Sequence, residues 1–184
     1  MEPGLFLRYA LRRPAAFGSL LPSSRHLAQA MTAQTRGAQL LVELGAGTGA
    51  VTHALRLHHP DVPMVVVEAQ PHLARHLRER FTGVDVRAQW AHEVVDALQH
   101  HAPSLTVVVS SLPFRTLPGE VRDHTVRSLC RFLSVDPLRR LVQYTYQPRP
   151  PFDLPHSADS RGLRWRRVKT IWRNAPPAGV WVLQ

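Results

Sequence analysis

The segment LLVELGAGTGAVTHAL, residues 40–55, sets a carboxylate, Glu43, two residues ahead of three glycines at alternate positions, Gly45, Gly47 and Gly49. An apolar run that ends this way reads as a buried strand turning into a helix. Gly45 and Gly47 let the chain turn tightly and let a ligand touch the backbone, and Gly49 is predicted to let the helix lie close to the sheet. The start of that helix offers free N–H groups. A second apolar run ends in Glu68, placed to accept hydrogen bonds from both hydroxyls of a ribose. The chemistry on offer is capture of a nucleoside across the tips of two strands.

Two cofactor classes satisfy that geometry. GAGTGA fits the looser dinucleotide pattern, but a diphosphate at the helix start would find an added acid unwelcome. Glu43 suits a ligand that carries an ammonium and a sulfonium, as S-adenosylmethionine does. The residues expected to hold this cofactor are Glu43, Gly45, Ala46, Gly47, Gly49, Glu68, Ala69 and Ser110, joined by Gln89 and Trp90. Gln89 could accept from the adenine amino group, and Trp90 could lie against the ring. A surface glutamine and a packing tryptophan are the plain structural alternative for that pair.

The elements that must position these groups alternate along the chain. Strands are predicted at 38–44, 63–69, 84–88, 105–112 and 139–146, with helices at 49–59, 71–81, 91–101 and 119–133. Continuous apolar strands separated by helices argue for a parallel sheet covered on both faces. A Pro-rich connection follows, then strands at 162–174 and 180–183 joined by a short turn, which should pair antiparallel. The Arg166-Arg167 pair breaks the alternation of the first of these and suggests a bulge. Residues 1–37 read as a helical extension, with one helix over 4–13, stopped by Pro14, and another over 22–34 capped by Ser23 or Ser24. The expected organisation is that extension followed by an α/β domain over 38–184.

Bulk properties bound the function. A chain of 184 residues suits one domain with a real core. The formal net charge of +10 rests almost wholly on arginine, and it favours contact with polyanions, either an anionic membrane surface or nucleic acid. Cys130 is the single cysteine, so an internal disulfide and a cysteine metal site are both excluded. The expectation is a cytoplasmic protein without a bound metal. No apolar run reaches the length of a membrane span, and Arg8, Arg12 and Arg13 interrupt any secretory signal.

With three further segments the chain resembles the small soluble phospholipid N-methyltransferases of bacteria. These are PSS at 22–24, SSLPF at 110–114, and the tail QYTYQPRPP…NAPPAGVW. The resemblance runs from about Phe6 to Leu183, and the tail is its most specific part. It implies a Rossmann-like class I methyltransferase sheet, mostly parallel with a C-terminal antiparallel hairpin, and S-adenosylmethionine as methyl donor. It also implies methylation of phosphatidylethanolamine or a related aminolipid at the inner membrane, with an N-terminal amphipathic helix helping the protein dock peripherally. Two departures stand out: LSVDPLRRL lacks the usual glycine pair before strand five, and RAQW replaces a common Gly-Asp.

Read in that light, Arg8 and Arg12 share one stripe of the first helix and can meet lipid phosphates, or the helix can simply pack as a lid. SSLPF stands where base-methylating enzymes carry Asn-Pro-Pro-Tyr, so Ser111 replaces the asparagine. Backbone carbonyls of this turn, with Leu112, would orient the amine, and Phe114 could stack on a base. Tyr146, Ser111 and Tyr9 are the catalytic candidates, with His26 as a further proton acceptor. Tyr144 and Leu112 are expected to touch substrate, and Arg8, Arg25 and Arg149 to meet a phosphate. The alternatives are an adenine N-methyltransferase of ribosomal RNA and a non-catalytic membrane-binding module of the same fold.

Overall fold

In the computed structural model, residues 25–174 and 176–184 are described. The first predicted helix, with Arg8, Tyr9 and Arg12, lies outside them, as do the expected caps Ser23 and Ser24.

Strand β1 (Leu40–Leu44) is buried at every position, which explains why its sequence, Glu43 apart, is apolar rather than alternating. It lies between β2 (Met64–Val67) and β4 (Thr106–Ser110), both parallel to it and both fully buried. Strand β3 (Asp85–Arg87) extends the sheet beyond β2, and β5 (Arg140–Thr145) extends it beyond β4, again in parallel. The last two strands reverse direction. β7 (Ala178–Leu183) pairs antiparallel with β5, and β6 (Trp165–Ile171) pairs antiparallel with β7 on the outside. The order of this seven-stranded sheet is β3-β2-β1-β4-β5-β7-β6, the mostly parallel arrangement with a terminal hairpin expected of the fold.

Helices cover both faces. On one side α1 (Arg25–Thr32), α2 (Ala50–His58) and α3 (Pro71–Arg80) bury Leu27, Met31, Leu55 and Leu77 against β1, β2 and β7. On the other, α4 (Ala91–Leu98) and α5 (Gly119–Ser134) bury Val94, Val95, Leu129 and Phe132. Thus α1, although part of the helical extension, shares a core with the sheet. Its far end is pinned where Arg140 donates to the carbonyls of Gln34 (3.0 Å) and Arg36 (2.7 Å).

Element lengths differ from expectation at the ends. α4 stops at Leu98, and β6 stops at Ile171, leaving Trp172 to Asn174 in the turn. The bulge falls between Arg167 and Lys169, one step beyond the arginine pair that announces it. Before β5, where the sequence lacks a glycine pair, a buried guanidinium does the joining. Arg139 donates to the carbonyls of Gln99 (2.8 Å), Phe132 (3.1 Å) and Ala102 (2.7 Å), tying the ends of α4 and α5 together.

Gly49 has a physical role other than the predicted one. Its φ is +84°, and a Cβ there would lie 2.6 Å from Phe81 and 2.8 Å from Leu77, so the close approach is of α2 to α3 rather than to the sheet. Leu77 is fully buried and cannot swing away. Gly49→Ala is expected to lower unfolding free energy by about 1–3 kcal/mol, from overpacking plus the left-handed backbone, as read in urea denaturation.

Candidate active site

β1 ends beside the glycine turn, and the pleat sends the Glu43 side chain to the α2 face, opposite Thr52. Glu43 is wholly buried. Among the described residues neither of its carboxylate oxygens has a hydrogen-bond partner in ordinary geometry, and neither has the Thr52 hydroxyl. Burial pushes the Glu43 pKa from 4.5 up to about 7, and the Glu68 charge adds to the rise. The hydroxyl and amide of Thr52 oppose it from beyond ordinary hydrogen-bond geometry.

The turn itself is fixed by β2. The amides of Gly45 (2.9 Å) and Ala46 (3.3 Å) donate to the Val67 carbonyl. Gly45, Gly47 and Gly49 all take positive φ, the conformation glycine adopts without steric cost. Glu68, expected to meet a ribose, also holds the turn: one oxygen accepts from the Gly47 amide (2.8 Å) and the other from the Gln70 amide (2.9 Å). Each oxygen keeps a second lone pair for a further donor. A Cβ on Gly47 would meet none of the described residues within 4 Å.

These groups fit S-adenosylmethionine. A buried, unpaired carboxylate under an open backbone turn is the partner a positively charged ligand needs, and the acid at the β2 tip faces the same turn. Ala69 lies exposed just beyond Glu68. Gln89 is exposed and Trp90 half-buried at the start of α4, where the Trp90 amide donates to Glu93 (2.9 Å).

The tips of β4 and β5 make a second, adjoining region. Ser110 is buried, and its hydroxyl accepts from the Leu112 amide (3.2 Å), while the Ser111 amide donates to the Leu44 carbonyl (2.9 Å). A Cβ on Gly45 would lie 2.8 Å from Leu112, so Leu112 is the wall between the glycine turn and a cavity of about 270 Å³. Ser111, Leu112, Gln143, Tyr144, Tyr146 and Pro176 line that cavity. Tyr144 and Tyr146 meet edge to face at 5.6 Å. Burial raises the Tyr146 pKa, against hydrogen bonds with Asn174 and Tyr144, so the phenol keeps its proton at neutral pH. Arg149 is exposed on the adjoining loop, and Arg115, also exposed, donates to the Pro150 carbonyl (3.1 Å). Arg25 is exposed at the end of α1 opposite the Arg140 anchor.

Two expectations need correction. The Leu112 carbonyl is not available to an amine, because it already accepts from Phe114 (3.0 Å) and from Gln143 Nε2 (3.1 Å). Ser111, half-buried in the same lining, carries a carbonyl and a hydroxyl that can accept instead. Phe114 borders the cavity but offers a ligand little of its ring: it is buried and packs on Phe152 at 4.6 Å, which in turn meets Trp165 at 5.0 Å.

Sequence reasoning missed Gln143. It is buried on β5, its Nε2 donates to the Leu112 and Tyr144 carbonyls, and its Oε1 has no partner among the described residues. The signal was present: an amide inside an otherwise apolar, buried strand is costly unless used.

The methyltransferase domain family matches residues 41–136, more than half of the chain. An ornithine lipid N-methyltransferase of Singulisphaera acidiphila is 34% identical over 137 residues, covering 71% of each protein. Among solved structures, the precorrin-6y C5,15-methyltransferase of Geobacter metallireducens superposes with a TM-score of 0.58 at 14% identity, over 86% of both chains. A TehB-like S-adenosylmethionine-dependent methyltransferase from Corynebacterium glutamicum gives 0.57 at 14% identity, over 100% of this chain and 99% of that one.

Glu43 sets a pH dependence. Its folded-state pKa lies above its unfolded one, so the ligand-free protein loses stability as pH climbs from 4.5 to about 7. A cationic ligand reverses this by favouring the carboxylate. Affinity for S-adenosylmethionine should therefore rise from about pH 5.5 to about pH 7.5, with proton release on binding in the lower half of that range. Glu43→Gln should flatten the profile and weaken binding, both read by isothermal titration in buffers of different ionisation enthalpy. With a domain match over more than half its length and a lipid-modifying relative at this identity, the chain belongs to the class I S-adenosylmethionine-dependent methyltransferases, in the lipid N-methyltransferase family.

Proposed function

We propose that the protein methylates the amine of an aminolipid headgroup, phosphatidylethanolamine or a related aminolipid such as an ornithine lipid, at the cytoplasmic face of a membrane. The observation that carries this reading is the acceptor cavity beside the glycine turn, taken with the 34% identity to an ornithine lipid N-methyltransferase. The cavity has aromatic walls, a buried amide in its lining and arginines on the adjoining loop. At about 270 Å³ it lies just below the roughly 300–1,000 Å³ of pockets that enclose a whole drug-sized ligand, which suits a headgroup rather than acyl chains. Among the described residues no helix is long and apolar enough to cross a membrane.

When bound, S-adenosylmethionine supplies a methyl group on a positively charged sulfur. The work of the protein is to bring a neutral amine in line with it, since a protonated amine has no lone pair. Ser111 offers a carbonyl and a hydroxyl to the amine's N–H groups. Gln143 holds the turn that carries Ser111 by gripping the next carbonyl. Tyr146, kept protonated, orients by hydrogen bonding and does not act as the base. A methylated amine would release its proton to water, so no side chain here is required to hold it. Arg149 and Arg115 are placed to meet the lipid phosphate, and Arg8 and Arg25 are further candidates from the N-terminal region.

The RNA reading is weakened at Phe114, whose ring packs on Phe152, and is left with Tyr144 and Tyr146 as the aromatic faces that a flipped adenine would use. A radiolabelled methyl assay with aminolipid and ribosomal RNA as separate acceptors should label lipid alone; label in RNA alone would reject the proposal. Gln143→Leu is expected to lower kcat/KM on lipid by about 10- to 100-fold through misplacement of the SSLPF turn. Cofactor affinity, read by titration, should fall by a much smaller factor, through the Leu112 side chain that walls the glycine turn.

A further inference from the structure

Trp172 is the most exposed of the large apolar side chains among the described residues, at 78%. It sits with the exposed Arg173 in the turn between β6 and β7. Ile171 pairs with Ala178 and Thr145 with Gly179, so this turn projects from the same edge of the sheet as the end of β5, the edge that carries the cavity. Pro176 of the turn lines the cavity itself. Its described residues are tied to the cavity. Asn174 is buried, donates to the Pro176 carbonyl at 2.8 Å, and hydrogen-bonds Tyr146 inside the cavity.

We infer that the Trp172-Arg173 turn is an interfacial anchor that seats the mouth of the acceptor cavity on an anionic lipid bilayer. The inference rests on the aminolipid reading, and it assigns a docking surface separate from the N-terminal helix. Indole is an amphipathic ring that settles at headgroup depth. Arg173, outside the cavity lining, supplies a cation for phosphates of the surrounding bilayer, and the chain's net charge of +10 complements an anionic leaflet. A cavity sized for a headgroup requires this arrangement, because the acyl chains stay in the bilayer while the amine enters. The exposed ring therefore stands where the membrane surface must be. Stacking on RNA bases is the competing use of the same ring.

The test uses the full chain with vesicles of phosphatidylglycerol and phosphatidylcholine carrying the aminolipid. Trp172→Ala and Arg173→Glu should each lower vesicle flotation about fivefold or more, the scale of one interfacial cation, and should lower methylation in bilayers to match. Both variants should bind S-adenosylmethionine, and methylate a monomeric short-chain aminolipid, as the unaltered protein does. Brominated lipids should quench the unaltered protein's fluorescence more than that of Trp172→Phe. Undiminished flotation and bilayer activity in both variants would overturn the anchor while leaving the aminolipid reading standing. If the unaltered protein methylates neither the bilayer lipid nor the monomeric one, the aminolipid reading itself falls. RNA methylation that drops in Trp172→Ala would reassign the turn to RNA and overturn the anchor.

Discussion

A carboxylate sealed inside the domain, its oxygens without a partner in ordinary hydrogen-bond geometry among the described residues, is the constraint around which the rest is arranged. Glu43 has Val66 and Val109 as its neighbours across the sheet, and an unpartnered threonine faces it from α2. A shift of its pKa from 4.5 to about 7 is equivalent to about 3 kcal/mol against the charged form. The domain tolerates that cost because the strands on either side are anchored by long apolar runs. Around the acid the turn is otherwise fully specified: Val67 holds two of its amides and Glu68 a third. What is left unsatisfied is charge, and that is the property a sulfonium cofactor brings.

The acceptor side is built differently, by linkage across elements distant in sequence. Leu112 touches the glycine turn with its side chain and Gln143 with its carbonyl, so the cofactor wall and the cavity lining are one piece. Tyr146 and Asn174 then connect β5 to the β6–β7 turn. A shift in any of the three would be felt by the other two, because interiors this tightly packed transmit displacement rather than absorb it.

The cofactor half of this arrangement was legible in the sequence and the acceptor half only partly so. Glu43, the glycines and Glu68 are close in the chain and obey a local logic of strand, turn and helix, so their meeting could be foreseen. The parallel order of β1 to β5 and the final hairpin followed from apolar runs and their spacing. The fate of individual side chains did not. Whether Phe114 stacks on a ligand or on Phe152 depends on a residue 38 positions away, and no periodicity encodes that contact. Gly49 was flagged for the right reason, close approach, but the neighbour proved to be α3. Gln143 was visible as a polar interruption in a buried strand, yet its grip on Leu112 required the β4–β5 register. The absent glycine pair before β5 was noticed, and only the structure supplied its substitute, a guanidinium binding three carbonyls.

The position of β7 has a bearing on how the chain reaches this state. It is the last of the sheet's strands to leave the ribosome, yet it inserts between β5 and β6 rather than joining at the margin. Until it arrives, the hydrogen-bonding edge of β5 stays open and β6 has no neighbour to pair with. That leaves an interval during synthesis in which a nearly complete domain displays an apolar edge, the situation in which strands recruit the wrong partner. The bulge in β6 and its exposed arginines and lysine provide a deterrent, since a kinked, charged strand makes a poor template for another chain.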